Sequence, residues 1–275
     1  MASASLSGAR QRSAARDGLL NWLSFGLAAA FVATIVVALV ALFTHASPAV
    51  ILAQFHNPIV QQALWVSLET TAAAAVIIAV FGTPVAALLS RPFRGRAVLE
   101  TIVTLPIVLP PVVAGLALLL AFGRMGLLGH ALRMAGIELP FTGAAVVLAQ
   151  VFVAAPLYIV TAKNALERVD PDVLDAAATL RASTAYALLR VALPPALPAL
   201  GAGLALAWAR ALGEFGATIT FAGSLPGVTQ TMPIAVYTEG QSSIETAIAI
   251  AIALLAVSFV VLLAARLLSA RTVAS

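Results

Sequence analysis

The sequence predicts an all-α polytopic membrane protein with six transmembrane helices and both termini in the cytoplasm. Three observations carry that prediction. Of 275 residues, 62% are hydrophobic and 9% charged, whereas a soluble globular domain has about a quarter of its residues charged. The apolar residues fall into several runs of about 20 or more, each long enough to cross a ~30 Å hydrocarbon core as a helix. The basic residues gather on one side of those runs, as the positive-inside rule requires.

Taken in order, the spans lie near 19–43, 63–89, 97–122, 143–164, 196–222 and 245–268. The N-terminal tail, 1–18, carries Arg10, Arg12 and Arg16. With it inside, the cytoplasmic segments hold these three and Arg91, Arg94, Arg96, Lys163, Arg168, Arg181, Arg190, Arg266 and Arg271, twelve of fifteen basic residues. Only Arg124 and Arg133 fall outside, and Arg210 lies within a span. Residues 19–58 form the first span and an external loop with His45 and His56. Ala46-Ser47-Pro48-Ala49 faintly resembles a cleavage region, but the apolar run before it is about twice too long for a signal-peptide core. It reads as a retained span. The main transmembrane domain is 59–268, and 269–275 is a second cytoplasmic tail.

Within that domain, Glu69 falls near the outer end of the second span. The third span contains Pro106, Pro110 and Pro111, each of which removes an intrahelical hydrogen bond, so this helix must bend. Such a bend either lines a pathway or serves packing, and Gly115 permits close helix approach in both cases. Residues 123–142 form an external connection with His130, Arg133 and Glu138. In the fifth span Arg210 and Glu214 are four residues apart and so share one helix face. A charge in a span is costly and normally faces the protein interior, paired. The pair either fixes the helix in its bundle or lends positive potential to an anion route.

The long polar stretch between the fourth and fifth spans, 165–195, holds four of the eleven acidic residues. Asp170 is placed to accept from the free amides of a first helical turn, and Pro171 fits the first helical position. Asp172 and Asp175 lie toward the positive end of the helix dipole. Ala176, Ala177 and Ala178 follow, leaving a smooth face for docking. A second amphipathic run, Ser183 to Val191, is expected to end at Leu193-Pro194-Pro195, where the next span begins.

Asp175-Ala176-Ala177, Arg181, Val191 and Leu193-Pro194 resemble, interval for interval, the cytoplasmic signature of importer permeases driven by ATP-binding cassettes (ABC). Asp175 stands where that signature usually has Glu, Val191 where it often has Ile, and Arg181 where it has Gly. A left-handed turn at Arg181 costs roughly 1 kcal/mol that Gly avoids. The stretch Ala209 to Glu239 is similar to the permease subunits of molybdate importers. It contains Gly213-Glu214-Phe215-Gly216-Ala217-Thr218, Pro226-Gly227, Thr231-Met232-Pro233 and Tyr237-Thr238. Leu105 to Val113 and Phe122-Gly123-Arg124 fit the same family, and the resemblance runs from about 60 to 265. Sulfate and tungstate permeases share much of this pattern.

The resemblance implies the type I ABC importer permease fold and a passive conduit for molybdate working by alternating access. It implies two copies in the membrane, two cytoplasmic ATPase subunits beneath them, and an extracytoplasmic molybdate-binding protein. ATP and Mg would be held by the ATPases, with no cofactor or metal on this chain. ATPase coupling would fall to Asp170, Pro171, Asp172, Asp175, Ala176, Ala177, Arg181, Leu193 and Pro194. Arg210, Glu214 and Thr218 are candidates for the intramembrane ion pair or the pathway.

Several functions are disfavoured by the residues themselves. The only lysine, Lys163, lies between Ala162 and Asn164, so no Walker-type phosphate loop is present. No His-Glu-x-x-His or Gly-x-Ser-x-Gly motif appears, and without cysteine there is neither disulfide nor thiolate ligation. The pI near 10.3 suggests nucleic acid, but the basic residues are scattered over span ends and form no patch. The alternatives are a sulfate or other oxyanion permease, a proton-coupled carrier, for which ionisable residues in the spans are few, and a scaffold without flux.

Overall fold

The computed structural model describes the backbone of residues 2–45 and 48–273. It describes the side chains of 21–45, 49 and 52–263, except Pro171, Leu174, Asp175, Ala178 and Thr184. The chain divides into two compact units, Met1–Ala49 and Val50–Ser275. The first is built on one long helix, α1 (Ala2–Thr44), whose apolar part is Asn21–Thr44. A short α2 (Pro48–Gln54) follows.

In the second unit α3 (Pro58–Leu89) begins five residues before the expected span. Asn57 explains the start: its Oδ1 accepts from the Ile59 amide at 3.0 Å, and Pro58 occupies the first helical position. Next come α4 (Arg96–Val108), α5 (Pro111–Phe122), α6 (Gly129–Met134) and α7 (Gly143–Leu166), the last capped by Thr142. The polar stretch forms α8 (Pro171–Thr179) and α9 (Thr184–Tyr186). A π-helical passage, Ala187–Ala192, then leads into α10 (Leu193–Leu212). The chain ends with α11 (Gly216–Ala222), α12 (Met232–Glu239) and α13 (Ile244–Val273). Five helices of the described residues are long and apolar enough to span a membrane, and the bent pair α4–α5 makes a sixth.

Three expectations need correction. The third span is not one kinked helix: α4 and α5 meet at 117°. Leu109 (ψ 132°) and Pro110 (ψ 135°) are both extended, because each precedes a proline whose ring excludes the helical region. Two consecutive prolines therefore break the helix where one would have kinked it. The fifth span likewise stops at Leu212, and Glu214 and Phe215 lie in a turn before α11, so Glu214 does not share a helix face with Arg210. The prolines at 194 and 195 do not end the preceding helix. There the Leu193 amide bonds to the Leu188 carbonyl, five residues back. The wider π turn takes the proline rings without a stop.

α7 is the central helix. α3 and α10 pack along its length, and α4, α5 and α11 close against it. One apolar cluster joins α3, α7 and α10 through Ile78, Leu89, Tyr158, Ile159 and Leu200. A second joins α5, α7 and α11 around Leu118, Val146, Val153 and Phe221. A third ties α3 to α12 and α13 through Val60, Met232 and Ile250. Hydrophobicity cannot drive helix association in lipid, so close fit must. The fit is tightest between the two short helices α5 and α11. A methyl group on Gly115 would lie 2.6 Å from Thr220 Cβ, and one on Gly216 would lie 2.5 Å from Pro111 Cβ.

Candidate functional site

Two places on the chain gather the residues singled out from the sequence. The first is the polar stretch after α7. Asp170 Oδ1 accepts from the Asp172 amide at 2.9 Å, and Pro171 opens α8 as its first residue. Asp172 and Ala176 are exposed, whereas Ala177 is only 9% exposed. The side chain of Asp175 lies outside the described residues. α8 closes with a bond from the Ala182 amide to the Ala177 carbonyl at 3.0 Å, and between them Arg181 has φ 59°. This is a Schellman closure with arginine where glycine is favoured, so the left-handed turn of the signature is kept despite the substitution. A groove of about 600 Å³ runs beside it, with Val173, Ala176, Leu180, Arg181 and Tyr186 in its walls. Val191 lines its far side from the π passage, and Leu193-Pro194 open α10.

The second place is the turn after α10. Arg210 Nη1 lies 2.7 Å from Glu214 Oε2, and Glu214 Oε1 accepts from the Ala217 amide at 2.9 Å. The Glu214 side chain is 1% exposed and that of Arg210 35%. Each carboxylate oxygen therefore has one partner inside the fold, one capping α11 and the other holding one edge of the guanidinium. The rest of Arg210 borders a cavity of about 310 Å³ at the α4–α5 break, where Pro106, Leu109 and Pro111 form the opposite wall. So the structure brings the proline break and the ion pair to one cavity. Thr218 does not join them: it is fully buried, and its hydroxyl has no hydrogen-bond partner among the described residues.

A third cluster was not anticipated. Arg96 pairs with Glu167, and Lys163 with Glu100, joining the start of α4 to the end of α7 directly before the polar stretch. Longer contacts of 3.9 Å, Arg96–Glu100 and Lys163–Glu167, close the four charges into a ring. Lys163 is 11% exposed, so its charge depends on these partners. The signal was present as two i,i+4 pairs at adjacent span ends. Buried polar side chains also bridge helices within the membrane. Ser67 Oγ accepts from the Met232 amide at 2.8 Å, and Gln150 donates to Thr70 at 3.2 Å. On the other side Glu69 and His130 are exposed, and Arg124 and Glu138 form an exposed pair at 2.9 Å.

With this geometry in hand, the comparisons with known proteins are specific. Residues 80–274 match the family described as binding-protein-dependent transport system inner membrane component. The chain is 44% identical over 209 residues to the molybdenum transport system permease protein ModB of Mycobacterium tuberculosis, covering 75% of this chain and 79% of that one. It is 40% identical over 207 residues to ModB of Escherichia coli, covering 73% and 90%. Among solved structures, a chain of a bacterial alginate ABC transporter in complex with an alginate pentasaccharide-bound periplasmic protein superposes with a TM-score of 0.74. The two are 16% identical, and the match covers 94% of this chain and 96% of that one. That likeness carries the fold.

Proposed function

The chain belongs to the family of binding-protein-dependent transport system inner membrane components, and on that premise we propose that it is the membrane-spanning permease subunit of an ATP-driven molybdate importer. The observation that carries the substrate is the 44% identity to ModB over three quarters of the chain. Two copies form the conduit, two cytoplasmic ATPases supply energy and hold ATP and Mg, and an extracytoplasmic protein captures the anion. Both termini and α8 lie on the cytoplasmic side, as the distribution of basic residues supports. The permease itself then needs little affinity. It needs two packings of its helices and a segment through which ATPase closure can bias them.

The polar stretch suits that segment. α8 is short, capped at both ends and bordered by an apolar groove, so a push on it passes through the π passage into α10. The test is uptake into liposomes holding permease, ATPase and binding protein. Molybdate uptake that requires ATP and all three components is expected. Tungstate, of nearly the same size and charge, should enter equally well. Uptake by the permease alone would instead establish a carrier, and sulfate uptake equal to that of molybdate would overturn the specificity.

A further inference from the structure

We propose, building on the importer reading above, that Arg96, Glu100, Lys163 and Glu167 form an electrostatic tether that makes α4 move with the end of α7. Through it α8 drives the first half of the broken span. α4 needs such a tether, because none of its thirteen residues is buried. Arg96, Leu99, Glu100, Val103 and Thr104 are half-buried and fall on one stripe of the helix. Leu99 and Val103 only rest on the α3–α7–α10 cluster from outside, and lipid can replace such apolar contacts on equal terms. It cannot replace the ion pairs. Lys163 is 11% exposed, and a charge so covered is costly to leave without its partner. Moving α4 away would take Glu100 from it, leaving Glu167 at 3.9 Å, and would take Glu167 from Arg96 in the same step. The two pairs therefore hold as one.

Their position gives them a task. Glu167 caps the end of α7, and α8 opens at Pro171, four residues on. The turn between has little slack: the Arg168 amide bonds to the Ala165 carbonyl and the Val169 amide to the Leu166 carbonyl, both at 3.3 Å. A displacement of α8 thus reaches Glu167, and through the ring the start of α4. At its other end α4 runs to the break at Leu109–Pro110, where Pro106 and Arg210 line the same cavity from opposite sides. α8 accordingly has two lines into the membrane, forward through the π passage to α10 and back through the ring to α4, and they converge on that cavity. With both intact its two walls shift in one stroke. With the ring cut, only the α10 wall is driven. The four charges are positioning residues for transport, acting through α4.

The ring allows a controlled exchange of charges. It holds two pairs across the helices, Arg96–Glu167 and Lys163–Glu100, and two within them, Arg96–Glu100 and Lys163–Glu167. Glu100→Lys with Lys163→Glu keeps both pairs across the helices opposite in sign and makes both pairs within them alike. Arg96→Glu with Glu100→Arg makes both pairs across the helices alike and keeps those within them opposite. Neither exchange alters the number of basic residues on that side, so the orientation of the chain is kept.

The test measures molybdate imported per ATP hydrolysed by complete complexes of permease, ATPase and binding protein in liposomes, both rates taken per folded complex. Glu100→Gln should lower that ratio by about tenfold, the size of an ordinary coupling between distant sites, while hydrolysis continues. Arg96→Gln, at a side chain 30% exposed, should act alike and spares the more covered lysine its partner. The exchange across the helices should recover the ratio, whereas the exchange within α4 should leave it at or below that of Glu100→Gln. A merely structural ring would lower uptake and hydrolysis together and leave their ratio unmoved, which would overturn the tether. Equal ratios from the two exchanges, or an unchanged ratio with Glu100→Gln in a complex that imports molybdate, would overturn it too, and each would leave the importer standing.

Discussion

Removing Arg210 should harm the fold more than removing Glu214. The two are partners at 2.7 Å, but their surroundings differ: Glu214 is 1% exposed and Arg210 35%. Arg210→Ala strands a carboxylate inside the fold with one amide as its remaining partner, that of Ala217. Breaking a buried pair this way costs about 3–5 kcal/mol. Glu214→Ala leaves an arginine that already borders a 310 Å³ cavity and can turn into it. Its main loss is the acceptor for the Ala217 amide, an N-cap worth about 1 kcal/mol, plus a partly solvated pair worth ~1 kcal/mol or less. The double substitution leaves no charge stranded and should fall near Glu214→Ala, well short of the sum of the two. Folded protein measured by fluorescence-detected size exclusion after graded heating reads this order directly. Equal loss from the two single substitutions, or a double variant as poor as their sum, would refute the account of Glu214 as the sealed partner.

Four further outcomes follow from local geometry. Ala176→Trp presents its bulk outward from α8, so it should leave the permease folded but cut ATP-driven uptake about tenfold, consistent with overpacking of ~1–3 kcal/mol. Ala177→Trp, at 9% exposure, should reduce folded protein as well. Arg181→Gly removes a side chain from φ 59° and should be neutral or stabilising by up to ~1 kcal/mol in thermal unfolding; a loss of more than that would contradict the Schellman reading. Gly216→Val would thrust against Pro111, 2.5 Å from its first added carbon, and should destabilise the protein by at least ~1–3 kcal/mol in the same melting assay.

Much of the fold could be read from the chain because its signals are local. Asp170-Pro171 joins a capping side chain to the residue that opens a helix, and α8 starts there; Asn57-Pro58 carries the same signal, but the apolar run alone put that span's start five residues too late. The turn at Arg181 was not settled by the chain, since arginine stands where the signature has glycine, and the structure keeps it left-handed. What could not be read depends on contacts distant in sequence. Three prolines foretold a bend, but not that α5 would turn by 117° and lie against α11, more than a hundred residues on. The Arg96–Glu167 and Lys163–Glu100 pairs were visible only as two unrelated i,i+4 pairs, since their joining needs α4 packed on α7. Pro194 and Pro195 read as a stop because a π passage leaves no mark in composition.

The two breaks, at Leu109–Pro110 and at Gly213–Phe215, make physical sense only together. A broken helix in a membrane frees backbone groups that lipid cannot satisfy, so it is tolerated only where protein or a polar cavity covers it. Here each break covers the other. Gly216 has no side chain, and the space its Cβ would take is filled by Pro111 Cβ and, at 3.3 Å, the Val112 amide nitrogen. The openings of α5 and α11 are thereby brought face to face, two positive helix ends that would repel unless an anion lay near. Glu214 is that anion, bonded to the α11 amide and neutralised in turn by Arg210. The meeting point of the two breaks is thus closed from behind by a carboxylate and open in front through an arginine. Such an arrangement lets two helix breaks persist inside the spans without the fold ever holding a bare charge.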